Sequence, residues 1–442
     1  MTGVSAEPLR TGQDVLQAYL NYLAKPVPLN MEEARVQAYA IPLDEIDPSH
    51  PALFQADTIL PYFERLRTED PVHYSESEGH GCFWSITKFE DIVAVDLDHQ
   101  SFSSDLGHGG VIIGTRDQDS TIPMFIASDN PHHQTLRTAF SPAFSPSNIA
   151  KLGPLIRKRA GAILDALPIG AEFDWVKDVS RDLTAMTLAT LLGFPYQERH
   201  KLTFWSDLIF AVPGQGLVDT LEDKKRHVQN CFMELLDLWN QRLLAGGGAD
   251  LISMLARSDV GRSLPPNEVL GNLALMLFAG NDTTRNTISG SVVALNEYPD
   301  QYALLRVEPT LVPSLISESI RWQTPLAHMR RTAVVDVEFK GKLIRKGDQV
   351  VMWYLSGNRD ADAFDNPNCF NLRRDRPRSH LSFGYGIHRC LGNRLAELQI
   401  GIIWEEILLR FDGIEMIGPP KRTLSNFVRG YESLPVRIAS RR

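Results

Sequence analysis

The sequence predicts a mainly α-helical fold with a small antiparallel β region, and three observations lead to this prediction. Residues 149–167 and 231–244 carry apolar side chains at spacings of three and four, as amphipathic helices require. A much longer helical pattern occupies the stretch after residue 265. Strand signals are few and short by comparison, so the sheet region is expected to be minor.

The long pattern opens at Pro265-Pro266-Asn267-Glu268, a typical helix start, and continues to about Asn296, just before Pro299. About thirty residues at 1.5 Å per residue make a helix of about 45 Å, long enough to cross a whole domain. Its middle, Leu273–Phe278, is apolar on every face. We therefore expect this helix to lie in the core.

The predicted strands are short segments rich in β-forming residues. Val334–Phe339 alternates between apolar and polar side chains, and Gln349–Tyr354 follows it after glycine-containing turns. Cys82–Thr87 is a further candidate strand near the N-terminus. A last helix is predicted from Asn393 to Phe411.

The chain of 442 residues is long for one domain, but its most flexible stretch, residues 245–249, is too short to be a linker. We predict a single domain over residues 1–442, with residues 1–45 as an N-terminal extension of uncertain order. Hydrophobic residues make up 43% and charged residues 22%, as in packed globular proteins. The formal net charge of −9 argues against nucleic acid as a partner.

Three features predict a cytoplasmic protein without a membrane anchor. No apolar run approaches the roughly 20 residues that a spanning helix needs. The first residues lack the basic and apolar segments of a signal peptide. The cysteines, at positions 82, 231, 369 and 390, show no close spacing, which favours a reducing compartment over disulfides.

One cysteine stands in an informative loop, Phe383–Gly392, directly before the last predicted helix. Cys390 is therefore expected at a helix N-terminus, where free backbone N–H groups and the helix dipole stabilise a thiolate. Gly386 allows a sharp turn, and Gly392 allows close approach of a ligand. For a lone cysteine, a free buried thiol is the better interpretation, and Cys82, Cys231 and Cys369 receive it.

The centre of the long helix is polar, since Asn281, Asp282, Thr283 and Thr284 interrupt its apolar middle. A buried acid and alcohol cost free energy unless they are hydrogen-bonded, so a purely structural role explains them poorly. Thr283 can donate to the carbonyl of Ala279, four residues earlier, or can release it and open the helix. The structural alternative is a helix kink that carries an incidental polar pair.

The loop pattern Phe-x-x-Gly-x-His-x-Cys-x-Gly resembles the haem-binding loop of cytochrome P-450 enzymes, and every fixed position is filled. The resemblance implies a cytochrome P-450 fold, with haem b between the long buried helix and the helix after the cysteine loop. It implies Cys390 as the iron ligand, with Phe383 beside the sulfur. In the long helix it implies space for dioxygen at Ala279 and Gly280, and proton supply by Asp282 and Thr283.

The same resemblance assigns basic partners to the two haem propionates. Asp129–Arg137 is similar to the family helix that supplies a histidine and an arginine, with Asn130 as a departure from the usual proline. Arg331 is identified by alignment, although Arg330 is adjacent. The residues that the resemblance implies for this role are His133, Arg137, Arg331 and His388.

Glu318 and Arg321 share a helix face at a spacing of three, which by itself indicates an ordinary surface ion pair. In the family this pair is buried and tied to a further arginine, which Arg374 matches. The implied role of the three residues is to hold the cysteine loop in place.

The implied reaction is that of a haem-thiolate monooxygenase, which inserts one oxygen atom of O₂ into a C–H bond. The chain contains no flavin or iron–sulfur module, so electrons from NAD(P)H are expected to arrive through ferredoxin reductase and ferredoxin. A basic cluster around the cysteine loop is the expected ferredoxin docking face, the alternative being a solvated face with some members committed to structure. Its members are Arg373, Arg374, Arg376, Arg378, Arg389 and Arg394.

Four stretches resemble the soluble bacterial terminal hydroxylases of alkanes and fatty acids: residues 281–286, 322–331, 381–406 and 425–431. This resemblance implies an apolar substrate, a medium- or long-chain n-alkane or fatty acid, oxidised at its terminal carbon. Alternatives are a terpenoid, steroid or aromatic substrate, a peroxide-driven peroxygenase, and a haem gas sensor. The expected substrate pocket comprises Leu275, Phe278, Ala327, Met329 and Phe427, with its entrance at Val111–Ile113 and Met124–Ile126.

Overall fold

The computed structural model describes residues 12–114 and 122–442, and the described part is mainly helical. Among the described residues, the helices are α1 Gly12–Leu23, α2 Met31–Ala40, α3 Pro51–Gln55, α4 Leu60–Glu69, α5 Phe89–Leu97, α6 His132–Phe140, α7 Pro146–Asp165, α8 Arg181–Leu192, α9 His200–Phe210, α10 Leu221–Ala245, α11 Leu251–Arg257, α12 Asp259–Ser263, α13 Pro266–Glu297, α14 Pro299–Val307, α15 Val312–Gln323, α16 Tyr354–Gly357 and α17 Asn393–Arg410.

The strands are short, as the sequence predicts. In the same part of the chain they are β1 Val72–Ser77, β2 Gly81–Ile86, β3 Phe102–Ser103, β4 Glu172–Asp174, β5 Met329–Ala333, β6 Val337–Phe339, β7 Lys342–Ile344, β8 Gln349–Met352, β9 Glu415–Met416, β10 Lys421–Arg422, β11 Tyr431–Ser433 and β12 Pro435–Arg437.

The largest sheet has five strands in the order β1-β2-β8-β5-β3. Its pairs are antiparallel except for the parallel pair β2–β8. The strand expected at 334–339 is shorter than predicted, because β5 ends before it at Ala333 and only β6, Val337–Phe339, lies within it. Asp336 lies between them and accepts the Lys346 N–H at 2.8 Å, which commits this stretch to a turn.

Helix α13 confirms the prediction of a long central helix. Pro266 occupies its first turn, where a missing N–H costs nothing. Leu273–Leu277 are buried within the largest hydrophobic core. The polar centre follows directly, and there the helix borders an internal cavity.

Helix α17 also confirms its prediction and packs beside α13. Trp404 Nε1 donates to Ser291 Oγ at 2.7 Å, which joins the two helices behind the cavity. The loop that precedes α17 therefore faces the middle of α13 across that cavity.

The described part of the N-terminal extension is mainly helical. Ala34 and Ala38 of α2 are fully buried against the α4 side chains Tyr62 and Phe63. No helix among residues 12–114 and 122–442 is both long and apolar enough to cross a membrane.

Candidate active site

The cavity lies between the polar centre of α13 and the loop that enters α17. Helix α13 presents a stripe of residues at helical spacing to it, and the opposite wall comes from the cysteine loop and the first turns of α17. The α13 side consists of Leu275, Met276, Ala279, Gly280, Thr283, Thr284 and Thr287. The opposite side includes Phe383, Gly384, His388, Cys390, Leu391, Gly392, Leu395 and Ala396.

The cysteine loop needs its glycines. Gly384 and Gly386 have φ values of +65° and +62°, in the left-handed region where a side chain is strained. A Cβ at Gly386 would lie only 2.5 Å from the carbonyl oxygen of Asp96. The Cys390 N–H donates to the Phe383 carbonyl at 2.8 Å and closes the loop. These contacts place Cys390 at the entry of α17 with its sulfur facing the cavity.

Opposing effects act on the pKa of the Cys390 thiol. Burial raises the pKa of its thiol, whereas the N–H groups of Gly392 and Asn393 and the charges of Arg137 and Arg389 lower it. The side chain has accessible surface although it lies deep in the protein, because it faces the cavity. A cation at the sulfur would remove the cost of the buried thiolate, as metals do for coordinating thiols.

Two histidines, His133 and His388, lie next to each other beside the cysteine loop. The rings of His133 and His388 lie 4.2 Å apart. Their four ring nitrogens are buried and have no hydrogen-bond partner in the described residues. Burial, followed by the charge of Arg137, lowers the pKa of His133 to about 4. Unpaired buried nitrogens are costly, so these rings suit a ligand with acidic groups.

Arg330 and Arg331 are adjacent in the sequence, and their side chains point to opposite faces of β5. Arg331 borders the cavity and donates to Asp96 Oδ1 at 2.6 Å. Arg330 points the other way, toward the carbonyls of residues 108, 109 and 114 at 3.0–3.1 Å. Asp96 also accepts from the N–H of Tyr385, so it links Arg331 to the cysteine loop. No motif marked Asp96, which looks like any acid on an amphipathic helix.

Asp282 and Thr283 of α13 face different surroundings in the structure. Thr283 faces the cavity, and its Oγ1 donates to the Ala279 carbonyl at 2.9 Å, so the helix is closed at this turn. Asp282 is only 3% exposed and does not line the cavity. It pairs instead with Arg285 at 3.0 Å, and Arg285 also binds Asp207 at 2.8 Å.

Burial and the Arg285 charge act in opposite directions on the ionisation of Asp282. Burial raises the pKa of Asp282 to about 6, against the opposing charge of Arg285. Its protonated form is therefore populated closer to neutral pH than for an ordinary aspartate. Arg285 and Asp207 were not among the predicted residues, because only the tertiary packing of α9 against α13 brings Asp207 to this place.

The buried triad is present as the resemblance implies. Glu318 accepts from Arg321 at 2.7 Å and from Arg374 at 2.9 Å, and all three side chains are at most 4% exposed. Both arginines also donate to the carbonyl of Cys369, at 3.0 and 2.7 Å. The triad thereby holds the chain segment that leads into the cysteine loop. Removing one partner of such a buried pair costs about 3–5 kcal/mol.

The predicted substrate pocket requires correction. Leu275 and Met329 line the cavity, as do Phe125 and Ile126 of the expected entrance. Seven other positions that were expected in the pocket or at its entrance do not line it: Phe278, Ala327, Phe427, Val111, Ile112, Ile113 and Met124. Phe278 lies five residues before Thr283, which at 100° per residue turns it about 140° away, so it packs against the core.

Ala327 and Phe427 are also set back from the cavity. The Ala327 N–H donates to the Phe427 carbonyl at 2.8 Å, so the two residues pair with each other through the backbone. Ala327 is fully buried in a core cluster with Trp353, and the Phe427 ring packs on His328 at 5.2 Å. Leu326 and Met329, which flank this stretch, line the cavity instead.

Comparisons with known proteins agree with this geometry. Residues 248–430 match the family model described as Cytochrome P450. A linalool 8-monooxygenase of Pseudomonas putida is 34% identical over 404 residues, which cover 89% of this chain and 99% of that protein. A methyl-branched lipid omega-hydroxylase of Mycobacterium tuberculosis is 29% identical over 391 residues, covering 85% and 90% of the two chains.

A solved structure is similar across almost the whole fold. Cytochrome P450-153 from Novosphingobium aromaticivorans superposes with a TM-score of 0.81 at 39% identity, covering 89% of this chain and 99% of that one. The mainly helical fold with small sheets is thus the cytochrome P450 fold.

The cofactor of this family is haem iron, and the residues of the cavity suit it. A thiol faces the space, and unpaired histidine nitrogens with two arginines lie where carboxylates would be neutralised. A Cβ added at Gly392 would meet no atom closer than 3.9 Å, so that side of the loop is open to a flat ligand. With this fold, this cavity and a relative that it matches over nearly its full length, the chain belongs to the cytochrome P450 family and is a monooxygenase.

Proposed function

We propose that this P450 hydroxylates medium- or long-chain linear substrates, n-alkanes or fatty acids, at the terminal carbon. The observation that carries the proposal is the apolar part of the cavity wall that lies outside the cysteine loop and α17. Apart from the threonines of α13, that wall is built from hydrocarbon and thioether side chains, which suit an alkyl chain. Its members are Phe125, Ile126, Leu275, Met276, Leu326 and Met329.

The two named relatives support different parts of this proposal. The methyl-branched lipid omega-hydroxylase supports attack at the end of a lipid chain. The linalool 8-monooxygenase is the reason to keep a terpenoid as the second candidate substrate class. Both substrate classes fit an apolar cavity wall, so the position of the carbon that is hydroxylated has to distinguish them.

Haem b, held by Cys390 as iron ligand, would supply dioxygen activation and C–H oxidation. His133, His388, Arg137 and Arg331 would bind its propionates, and Phe383, Gly386 and Gly392 would shape the loop beneath it. Ala279 and Gly280 keep side-chain volume away from the middle of α13. Thr283 would pass protons at its Oγ1, after releasing the Ala279 carbonyl. Asp282 would supply them, after its contact with Arg285 is exchanged.

Terminal attack is a matter of orientation. A terminal C–H bond is stronger than its neighbours along an alkyl chain, so a wide cavity gives mainly in-chain alcohols. A wall that narrows around the chain end overcomes this difference by holding the end carbon at the reacting position. Met329 and Leu275, which reach the cavity from β5 and α13, are the side chains placed to do so.

The purified enzyme, given a panel of n-alkanes and fatty acids, is expected to form mainly primary alcohols from medium or long chains. Met329→Ala should shift the product toward the penultimate carbon, because it widens the wall. Phe278→Leu is the matched control, since Phe278 does not line the cavity and should leave the product ratio unchanged. Gas chromatography of the products measures the ratio of primary to penultimate alcohol. A wild-type profile dominated by in-chain alcohols, or turnover of bulky polycyclic substrates alone, would overturn the proposal.

We further propose that electrons arrive from NAD(P)H through a ferredoxin reductase and an acidic ferredoxin that docks beside the cysteine loop. Of the basic cluster, Arg374 is committed to the buried triad and Arg373 pairs with Glu308 at 2.6 Å. Arg378 and Arg394 are exposed and border the same surface groove between α7 and α17. These two arginines are therefore placed together on one surface, where they could meet an acidic partner.

Charge reversal at either position should slow reduction by ferredoxin about tenfold at low salt and flatten its salt dependence, because the steering attraction is lost. Arg345→Glu makes the same charge change on an exposed turn after β7 and should have little effect. Stopped-flow reduction under carbon monoxide measures the rates. If Arg378→Glu and Arg394→Glu both reduce like the wild type, the docking face lies elsewhere.

A further inference from the structure

The last turn of helix α1 is fastened onto the body of the protein by one tyrosine. Tyr22 is only 4% exposed, and its ring lies directly on Gly79 in the β1–β2 turn. A Cβ at Gly79 would come within 2.3 Å of that ring, so glycine is required for this contact. The Tyr22 hydroxyl donates to Asp47 at 3.0 Å and lies 3.3 Å from Ser49 Oγ.

From Ser49 a chain of hydrogen bonds leads inward. The side-chain amide of Asn426 donates to the Ser49 carbonyl at 2.6 Å and to His80 Nε2 at 3.1 Å. The backbone carbonyl of Asn426 lies 3.0 Å from His328 Nδ1, and the N–H of Ile113 donates to His328 Nε2 at 3.4 Å. His328 must therefore be neutral with its proton on Nδ1, and burial lowers its pKa to about 3, in agreement.

The side chain of His328 is closely packed on all sides. It is fully buried between the rings of Trp353 at 4.9 Å and Phe427 at 5.2 Å. It immediately precedes Met329, the first residue of β5 and a lining residue of the cavity. One peptide unit joins the two residues, so a displacement of His328 would carry the cavity-lining side chain of Met329 with it.

We propose that helix α1 is a brace for the substrate wall. Tyr22 fastens α1, Ser49 and Asn426 transmit its position, and His328 is the positioning residue that sets Met329. The link to substrate selectivity rests on the proposed function, in which Met329 narrows the cavity at the chain end. The mechanical link between α1 and β5 does not depend on it.

The test uses the full-length holoenzyme and three variants. Gly79→Ala displaces the Tyr22 ring, Asn426→Ala cuts the chain behind it, and Gly153→Ala is the control, because a Cβ there meets no atom within 4 Å. Hydrogen exchange is followed at amides 14–23 of α1, at 111–114 and at 328–331. The product ratio and the substrate spin-shift titration are measured on the same samples, with the reduced carbon monoxide spectrum as the check of intact haem binding.

Gly79→Ala is expected to raise exchange in all three segments by about fivefold, the factor that one lost buried hydrogen bond represents. Asn426→Ala should raise it at 111–114 and 328–331 while α1 stays protected. Both variants should form more penultimate alcohol, and Gly153→Ala should match the wild type. Faster exchange in α1 alone for Gly79→Ala would overturn the brace, and so would unchanged exchange everywhere. If the enzyme proves not to attack chain ends, the exchange pattern still tests the brace separately.

Discussion

Replacing Cys390 by histidine is expected to abolish hydroxylation while the protein still folds and binds haem. The reduced carbon monoxide complex of the wild type should absorb at the thiolate-specific Soret position, because a thiolate donates electron density to the iron that an imidazole does not. In Cys390→His the band should move to the position of an imidazole-ligated haem. The reduced carbon monoxide difference spectrum, together with product formation, measures both effects.

Cys369→Ala is the matched control for this substitution, since Cys369 is also an exposed free thiol but lies outside the cavity. It should keep the wild-type band and activity. A Cys390→His variant with the wild-type band would show that another residue ligates the iron. The raised pKa of the buried Cys390 thiol gives a further expectation, namely that haem binding releases its proton to solvent.

Thr283→Ala is expected to separate oxygen consumption from hydroxylation. Haem content and substrate spin shift should stay at wild-type levels, because the methyl group of alanine fits the same position on α13. Product formed per NAD(P)H should fall about tenfold or more, a modest share of what general acid catalysis contributes, with the missing electrons recovered as hydrogen peroxide. NAD(P)H oxidation, peroxide and product are measured in the same reaction.

Thr284→Ala removes the neighbouring hydroxyl, which also borders the cavity, and should remain largely coupled. Full coupling in Thr283→Ala would exclude the proposed proton transfer at Thr283 Oγ1. Loss of coupling in both variants alike would indicate that the hydration of the α13 wall matters more than this one hydroxyl.

The main elements of the fold could be predicted because their signals are local. The apolar pattern of α13 and the amphipathic pattern of α7 repeat within the chain itself, so each helix was expected near its observed limits. The cysteine loop is equally local, since its glycines, its cysteine and the start of α17 lie within about ten residues. The position of Cys390 directly before a helix therefore followed from the sequence without knowledge of the rest of the fold.

What only the tertiary structure decided is which way side chains face and what meets them. Arg330 and Arg331 are alike in sequence, but the alternation of β5 sends one to a surface loop and the other to the cavity. Asp282 and Thr283 are neighbours, yet 100° of helical rotation places Asp282 against Arg285 and leaves Thr283 in the cavity.

Contacts between distant parts of the chain likewise decided which apolar residues line the cavity. The sequence indicated apolar residues at 275–278 and at Ala327 and Met329, but could not tell lining side chains from those behind them, because both kinds are apolar. Asp96 and Asp207 join the site region through partners that are far away in the chain. A spacing within one segment carries no information about such contacts, since they exist only after the helices and the sheet have packed against one another.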